Sequence, residues 1–119
     1  MSITRRVVVE SPYAGDAATI KRNGAYARAA LRNCIFRGEA PIASHLLYTQ
    51  PGVLQDEVKW ERNLGIECGF VWGCLADAVV VYRDLGITEG MQRGIKHYES
   101  LGLTVEYRSL AGWESSGES

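Results

Sequence analysis

Carboxylates, hydroxyls and a histidine gather in this sequence where runs of β-branched residues end. Ala78-Val79-Val80-Val81-Tyr82 empties into Arg83-Asp84-Leu85-Gly86-Ile87-Thr88-Glu89-Gly90-Met91, an acidic, glycine-bearing turn that opens a helix. Such a turn brings carboxylates, free backbone N–H groups and a helix dipole to one point, which suits a polar or anionic ligand. Val7-Val8-Val9 leads in the same way into Glu10-Ser11-Pro12-Tyr13-Ala14-Gly15-Asp16, and Pro41-Ile42-Ala43 leads into Ser44-His45. In an open parallel sheet all such exits lie along one edge, so the three converge on one crevice.

The candidate ligand-binding residues are therefore Ser11, Pro12, Tyr13, Gly15, Asp16, Ser44, His45, Arg62, Asp84, Thr88, Glu89, Gly90 and Met91. Each has an ordinary alternative. Tyr13 is placed to stack on a base or bond a sugar hydroxyl, or simply packs its loop. Ser11 and the N–H groups around Gly15 suit a phosphate, or stabilise a turn. Asp16 and Asn23 are equally caps for the first helix. His45 reads as a site residue or as a buried, hydrogen-bonded one, and His97 reads as outward-facing on its helix. Asp84 is placed to accept sugar hydroxyls, or forms an Asx-turn before Gly86. Thr88 reads as an N-cap and Glu89 as a first-turn acid or a ligand contact. Arg62 reaches a phosphate or pairs with Glu61 or Asp56 in solvent.

The elements that must position these groups follow from periodicity. Residues 3–9 have the β-branched, weakly alternating pattern of a strand covered on both faces. Asn23 to Arg37 has helical spacing and is stopped by Gly38. Ala40–Ser44 reads as a short strand, and Leu46–Leu54, with Pro51-Gly52, as a loop flanking the crevice. From Gln55 to Leu75, Trp60, Leu64, Cys68, Val71 and Leu75 form one helical stripe. The same helix carries Gly65, Gly69 and Gly73, which cost roughly 1 kcal/mol each relative to alanine and imply a close approach. That approach is packing onto the sheet or a helix-to-helix subunit contact. Ala78–Tyr82, a helix from Glu89 to Leu101, and Leu103–Tyr107 complete a β-α-β-α-β-α-β order.

Right-handed crossovers turn this order into a small flavodoxin-like (Rossmann-like) α/β three-layer sandwich, with a four-stranded parallel sheet of order 2-1-3-4. One domain over residues 1–108 is expected, followed by a flexible tail over 109–119 in which Trp113 has the option of docking. The 119 residues suffice to bury about two-thirds of the unfolded surface in one core. A sheet this small, with three tryptophans and a glycine ribbon, points to a homodimer or higher homo-oligomer.

Composition removes several classes. Thirteen basic against 14 acidic side chains give no field that would gather polymeric nucleic acid or an anionic membrane. The run Leu64–Leu75 is too short to span a bilayer and contains Glu67. Cys34, Cys68 and Cys74 include no Cys-x-x-Cys pair and no zinc-finger histidine, so neither a metal site nor a disulfide framework is implied, nor any cofactor. The first residues lack the apolar core of a secretory signal, and the expected setting is the cytoplasm.

Strand-Ser11-Pro12-Tyr13-x-Gly15, then Pro41-Ile42-Ala43-Ser44-His45, then Ala76-Asp77-Ala78-Val79-Val80-Val81, then Glu89-Gly90-Met91 resembles the nucleoside 2-deoxyribosyltransferase-like superfamily. It is most similar to the short members found in bacteria and their phages, and the likeness spans residues 7 to 107. In the transferase branch the resemblance implies a glutamate in the helix after the third strand that attacks the sugar C1′. The family pattern is Gly-x-Glu-x-Gly, whereas this chain has Gly90-Met91-Gln92-Arg93-Gly94. An amide at Gln92 cannot form a glycosyl ester. The resemblance therefore implies a protein that binds a nucleotide or nucleotide-derived small molecule without turnover, in a phage setting one that sequesters a cyclic nucleotide or ADP-ribose signal. The alternatives are an N-glycosidase or deoxyribosyltransferase using Glu89 or Asp84 as its catalytic carboxylate, and a structural interaction module built on the Trp60/Trp72 helix.

Overall fold

In the computed structural model, which describes residues 2–113, the β-branched runs form the middle of one parallel sheet. Strands β1 (Arg5–Glu10) and β3 (Ala78–Tyr82) pair side by side, with Val7 opposite Ala78 and Glu10 opposite Val81. β2 (Glu39–Ile42) flanks β1 and β4 (Thr104–Arg108) flanks β3, giving the order β2-β1-β3-β4. The sheet order read from the sequence is the observed one.

Four helices connect these strands: α1 (Ala17–Phe36), α2 (Ser44–Leu47), α3 (Lys59–Gly73) and α4 (Glu89–Ser100). Val7, Val9, Ala78, Val80 and Tyr82 meet Tyr26, Ala30 and Cys34 of α1 on one sheet face. Val8, Val79 and Val81 meet Met91, Ile95 and Tyr98 of α4, with Phe70 of α3 beside them, on the other. The alternation of side chains along a strand sorts neighbouring valines into two separate cores. Gly38 (φ +85°) and Gly102 (φ +86°) turn the chain after α1 and α4 in a conformation that L side chains rarely adopt.

Several elements differ from the sequence reading. α1 begins six residues before Asn23, because the Asp16 carboxylate accepts the Thr19 N–H at 2.8 Å and nucleates the first turn. Asn23 is thus inside the helix, and its side-chain amide donates to the Tyr13 carbonyl at 2.8 Å, fixing the loop that follows β1. Ser44–Leu47, read as the end of a strand and the start of a loop, is a single helical turn.

The largest difference is the orientation of α3. Its apolar stripe is exposed, Trp60 and Val71 each at 66%, and Leu64 and Leu75 are exposed with them. The buried residues of α3 are Gly69 and Gly73. A Cβ on Gly69 would sit 2.5 Å from Ser44 Oγ, and one on Gly73 would strike the Tyr98 ring. The glycine ribbon lets α2 and α4 approach the backbone of α3 from within the same chain.

Beyond β4, Leu110 packs on the α1-side core and the Trp113 ring lies edge-on to Tyr26 at 5.0 Å. The remainder of the expected flexible tail, residues 114–119, lies outside the described residues. None of the described helices is long and apolar enough to cross a membrane.

Candidate functional site

The carboxyl end of β1 and the loop after it, α2, α3 with the segment before it, and α4 from its N-cap to Tyr98 line a cavity of about 910 Å³. It lies at the point where the order of the sheet reverses, between β1 and β3, where open α/β sheets hold their ligands.

Of the residues picked from the sequence, Ser11, Tyr13, Ser44, His45, Arg62, Thr88, Glu89, Gly90 and Met91 line this cavity. Pro12 is buried beside it, while Gly15 and Asp16 stay at the exposed start of α1, where Asp16 serves as the cap. Asp84 is a correction. Two residues past Tyr82 it faces α1, where its Oδ2 accepts the Tyr26 hydroxyl at 2.6 Å and the Leu110 N–H at 2.8 Å. Its own N–H donates to the Tyr26 oxygen at 2.8 Å. This carboxylate is spent on anchoring the chain after β4 and does not line the crevice.

Within the cavity, Ser11 and His45 are paired. Ser11 is 4% exposed, and its Oγ lies 2.6 Å from His45 Nε2. Burial lowers the His45 pKa to about 4, so the ring is neutral at physiological pH and its shared hydrogen bond orients both groups. Thr49 Oγ1 donates to the His45 carbonyl at 2.7 Å and steadies the turn.

Thr88 caps α4, its Oγ1 accepting the Met91 N–H at 3.2 Å. Glu89 is exposed in the first turn, with Arg93 one turn on at 3.9 Å, so its macrodipole placement accounts for it. Gln92, at the position that matches the transferase nucleophile, is exposed and is not part of the lining.

Among the lining residues that the sequence reading did not pick, His97 and Glu10 stand out chemically. His97, read from sequence as outward-facing, stacks on Phe70 with centroids 3.7 Å apart, and its Nε2 is buried with no hydrogen-bond partner among the described residues. Glu10 is the inward position after Val8 on β1, and its carboxyl turns onto α4 at Gly94. Desolvation alone lifts its pKa to about 8, with no opposite charge or hydrogen bond among the described residues acting on it. The period-two pattern of β1 already held the signal: a carboxyl at an inward site of a strand covered on both faces.

Cations and acids mix around these groups, with Arg62, Arg93 and Lys96 beside Asp56, Glu61 and Glu89. Among the described residues, no three His, Cys, Asp or Glu side chains are grouped to hold a metal ion.

The geometry can be set beside known proteins. A family model described as a domain of unknown function (DUF7768) matches residues 5–108, from the first residue of β1 to the last of β4. The chain belongs to the DUF7768 family. No curated protein matches it in sequence. Among solved structures it is similar to a 2-deoxyribosyltransferase of the psychrotolerant bacterium Bacillus psychrosaccharolyticus, with a TM-score of 0.61 and 17% identity. The match covers 90% of this chain and 74% of that enzyme. At this identity the likeness is one of fold, and it extends over nearly the whole DUF7768 sheet.

Proposed function

We propose that the cavity binds a nucleoside or nucleotide and does not turn it over. The observation that carries this reading is the cavity's place. It opens on the carboxyl edge of a sheet whose fold is that of a deoxyribosyltransferase, and it gathers Tyr13, the Ser11–His45 pair and the α4 N-terminus around one space. A volume of about 910 Å³ is ample for a base and a sugar.

The placement of the carboxyl groups favours binding without reaction. Glycosyl transfer through an ester needs an ionised carboxylate against the sugar carbon. Gln92 supplies an amide and points outward, Asp84 is engaged with Tyr26 and Leu110, and Glu89 stands exposed beside Arg93. Glu10 lies within the cavity, but desolvation pushes its carboxyl up to about 8, which disfavours the ionised form a nucleophile needs.

A thermal-shift panel of nucleosides, nucleoside monophosphates, cyclic nucleotides and ADP-ribose tests the reading. A ligand at 100 times its Kd stabilises the fold by about 2.7 kcal/mol, which moves the midpoint by several degrees. Chromatography of the same mixtures is expected to show no free base. Release of base would replace binding by N-glycosidase activity, and a panel without any shift would end the nucleoside assignment.

A further inference from the structure

We propose that Glu10, seated against Gly94 in the cavity wall, is the specificity residue of the cavity, its carboxyl pairing side-on with a ligand edge that sets a hydrogen-bond acceptor beside a donor. This rests on the nucleoside reading above and names the part of the nucleobase that is read.

The sequence makes two unfavourable choices at one place. On β1 the face that carries Val8 continues into Glu10, where the pattern of a buried strand calls for an apolar side chain. On α4 the residue opposite is Gly94, inside a helix, where glycine weakens the backbone. The two fit each other. A Cβ on residue 94 would lie 2.5 Å from Glu10 Oε2 and 3.1 Å from Oε1, so the missing side chain is what seats the carboxyl. Once seated, the half-buried acid lines the cavity and makes no hydrogen bond to another side chain or backbone group among the described residues. A ligand in the cavity supplies one.

The form of the acid sets the form of that ligand. A carboxylate accepts only, whereas a protonated carboxyl offers one O–H donor beside one accepting oxygen. Its complement is an acceptor next to a donor, as the ring nitrogen and exocyclic amino group stand on adenine and cytosine. His97 Nε2, also without a partner, is a second polar group on the same wall.

Other titratable groups share the space. Tyr98 and His97 face it from α4, His45 from α2, and Tyr13 from the loop after β1. Arg93, Lys96 and Glu89 of α4, Arg62 and Glu61 of α3, and Asp56 complete the charged lining. The Tyr98 hydroxyl is pushed well above its ordinary range by burial and His45 far below, so neither changes charge near pH 8.

Binding of adenosine and cytidine to the full chain, measured by calorimetry at about pH 6 and about pH 9, tests the assignment. With the acid titrating at about 8, affinity is expected to fall about tenfold between the two conditions. Glu10→Gln, which keeps a donor beside an acceptor and leaves every other lining group in place, should bind with a flat pH profile. Glu10→Ala should bind at least tenfold more weakly at the lower pH. Purine riboside, which lacks the amino group, should lose affinity against the wild type but match adenosine against Glu10→Ala.

Affinity that rises with pH, or a Glu10→Gln profile as steep as the wild type, overturns the assignment. Nucleoside binding indifferent to Glu10→Ala overturns it too, while leaving the nucleoside reading intact. Failure of all nucleosides to bind, with the fold verified by circular dichroism, removes both.

Discussion

Glu10 makes the stability of this molecule depend on pH in the direction opposite to that of a salt-bridged acid. Its ordinary pKa of 4.5 rises to about 8 in the fold, so between those values the native chain holds a proton that the unfolded chain has released. The stabilising contribution of the neutral acid is complete below the unfolded value and is lost as pH climbs to the folded one. The slope is at most about 1.4 kcal/mol per pH unit. Urea unfolding of Glu10→Gln and wild type across this range is therefore expected to diverge, the variant gaining on the wild type up to about pH 8 and running parallel above it. Curves parallel throughout would show that the carboxyl is hydrated and ionised in the fold. The residues that carry chemistry were only partly legible in the sequence. Ser11, Tyr13 and His45 could be placed because they follow strands, and strand exits of a parallel sheet share an edge. Asp84 could not, because which face a residue takes after leaving the sheet depends on partners distant in sequence, here Tyr26 and Leu110. Glu10 was hidden by counting it as the first loop residue rather than the last of β1.

At the scale of elements, α3 shows how packing distance can outrank hydrophobic periodicity. The apolar stripe from Trp60 to Leu75 has the spacing that normally identifies the inward face, yet it is exposed while the glycines are covered. The reason is what lies beneath. Ser44 of α2 and the ring of Tyr98 reach so close to the α3 backbone that no side chain fits at residues 69 and 73, and the Tyr98 hydroxyl donates to the Gly69 carbonyl at 3.3 Å. Helix and strand order were legible because β-branched runs and helix-ending glycines are local signals. The facing of α3 was not, since a ribbon of small residues reads equally as a contact within the chain or between chains. The two ends of this ribbon should respond differently to mutation. Gly73→Ala drives a methyl into the fully buried Tyr98 ring, and an overpacked core costs about 1–3 kcal/mol, more than the roughly 1 kcal/mol of helix propensity returned. Gly65→Ala meets Leu54 Cδ1 at 3.4 Å and Tyr48 Cβ at 3.7 Å, ordinary contact distances, so the propensity gain should show as unchanged or higher stability. Chemical denaturation of the two variants checks this. A destabilised Gly65→Ala with an unaffected Gly73→Ala would mean that α3 is rotated from the orientation described.

On the scale of the whole molecule, the two edges of the sheet are joined by one charge network on the α1 side, buried at Arg108 and Glu39 and partly exposed at Arg5 and Glu106. Arg108 from β4 grips Glu39 from β2 with two parallel bonds of 2.8 and 2.7 Å, and also donates to Glu106 at 2.9 Å. Arg5 from β1 closes the ring, donating to Glu39 at 3.0 Å and Glu106 at 2.7 Å. Tyr82 of β3 joins it, accepting from Arg108 at 3.2 Å and donating to Asn33 of α1 at 2.7 Å. All four strands thus take part, and the network fixes how the edge strands sit relative to the centre in a sheet with few strands to stiffen it. The inner pair and the outer cation differ in weight. Arg108 and Glu39 are both nearly inaccessible, so removing one leaves the other dry with a single, partly exposed partner, Glu106 or Arg5, a loss that approaches the roughly 3–5 kcal/mol of a broken buried pair. Arg5 is about one-third exposed, and a partner so placed is worth about 1 kcal/mol or less. Glu39→Ala is accordingly expected to lower stability by about 3 kcal/mol, Arg108 keeping Glu106, and Arg5→Ala by about 1 kcal/mol or less, as read from denaturation midpoints at neutral pH. The pH course gives a second measure. The Arg108 guanidinium first, and Arg5 after it, hold the Glu39 carboxyl below its ordinary 4.5, and Arg5 and Arg108 do the same for Glu106. Their contribution is present above that value and is lost as acid carries the pH down through the folded ones. Wild type should therefore lose stability below about pH 4.5 more steeply than Glu39→Gln, whose amide cannot be protonated there. Equal acid sensitivity of the two proteins would show that this ring of charges does not hold the edges of the sheet together.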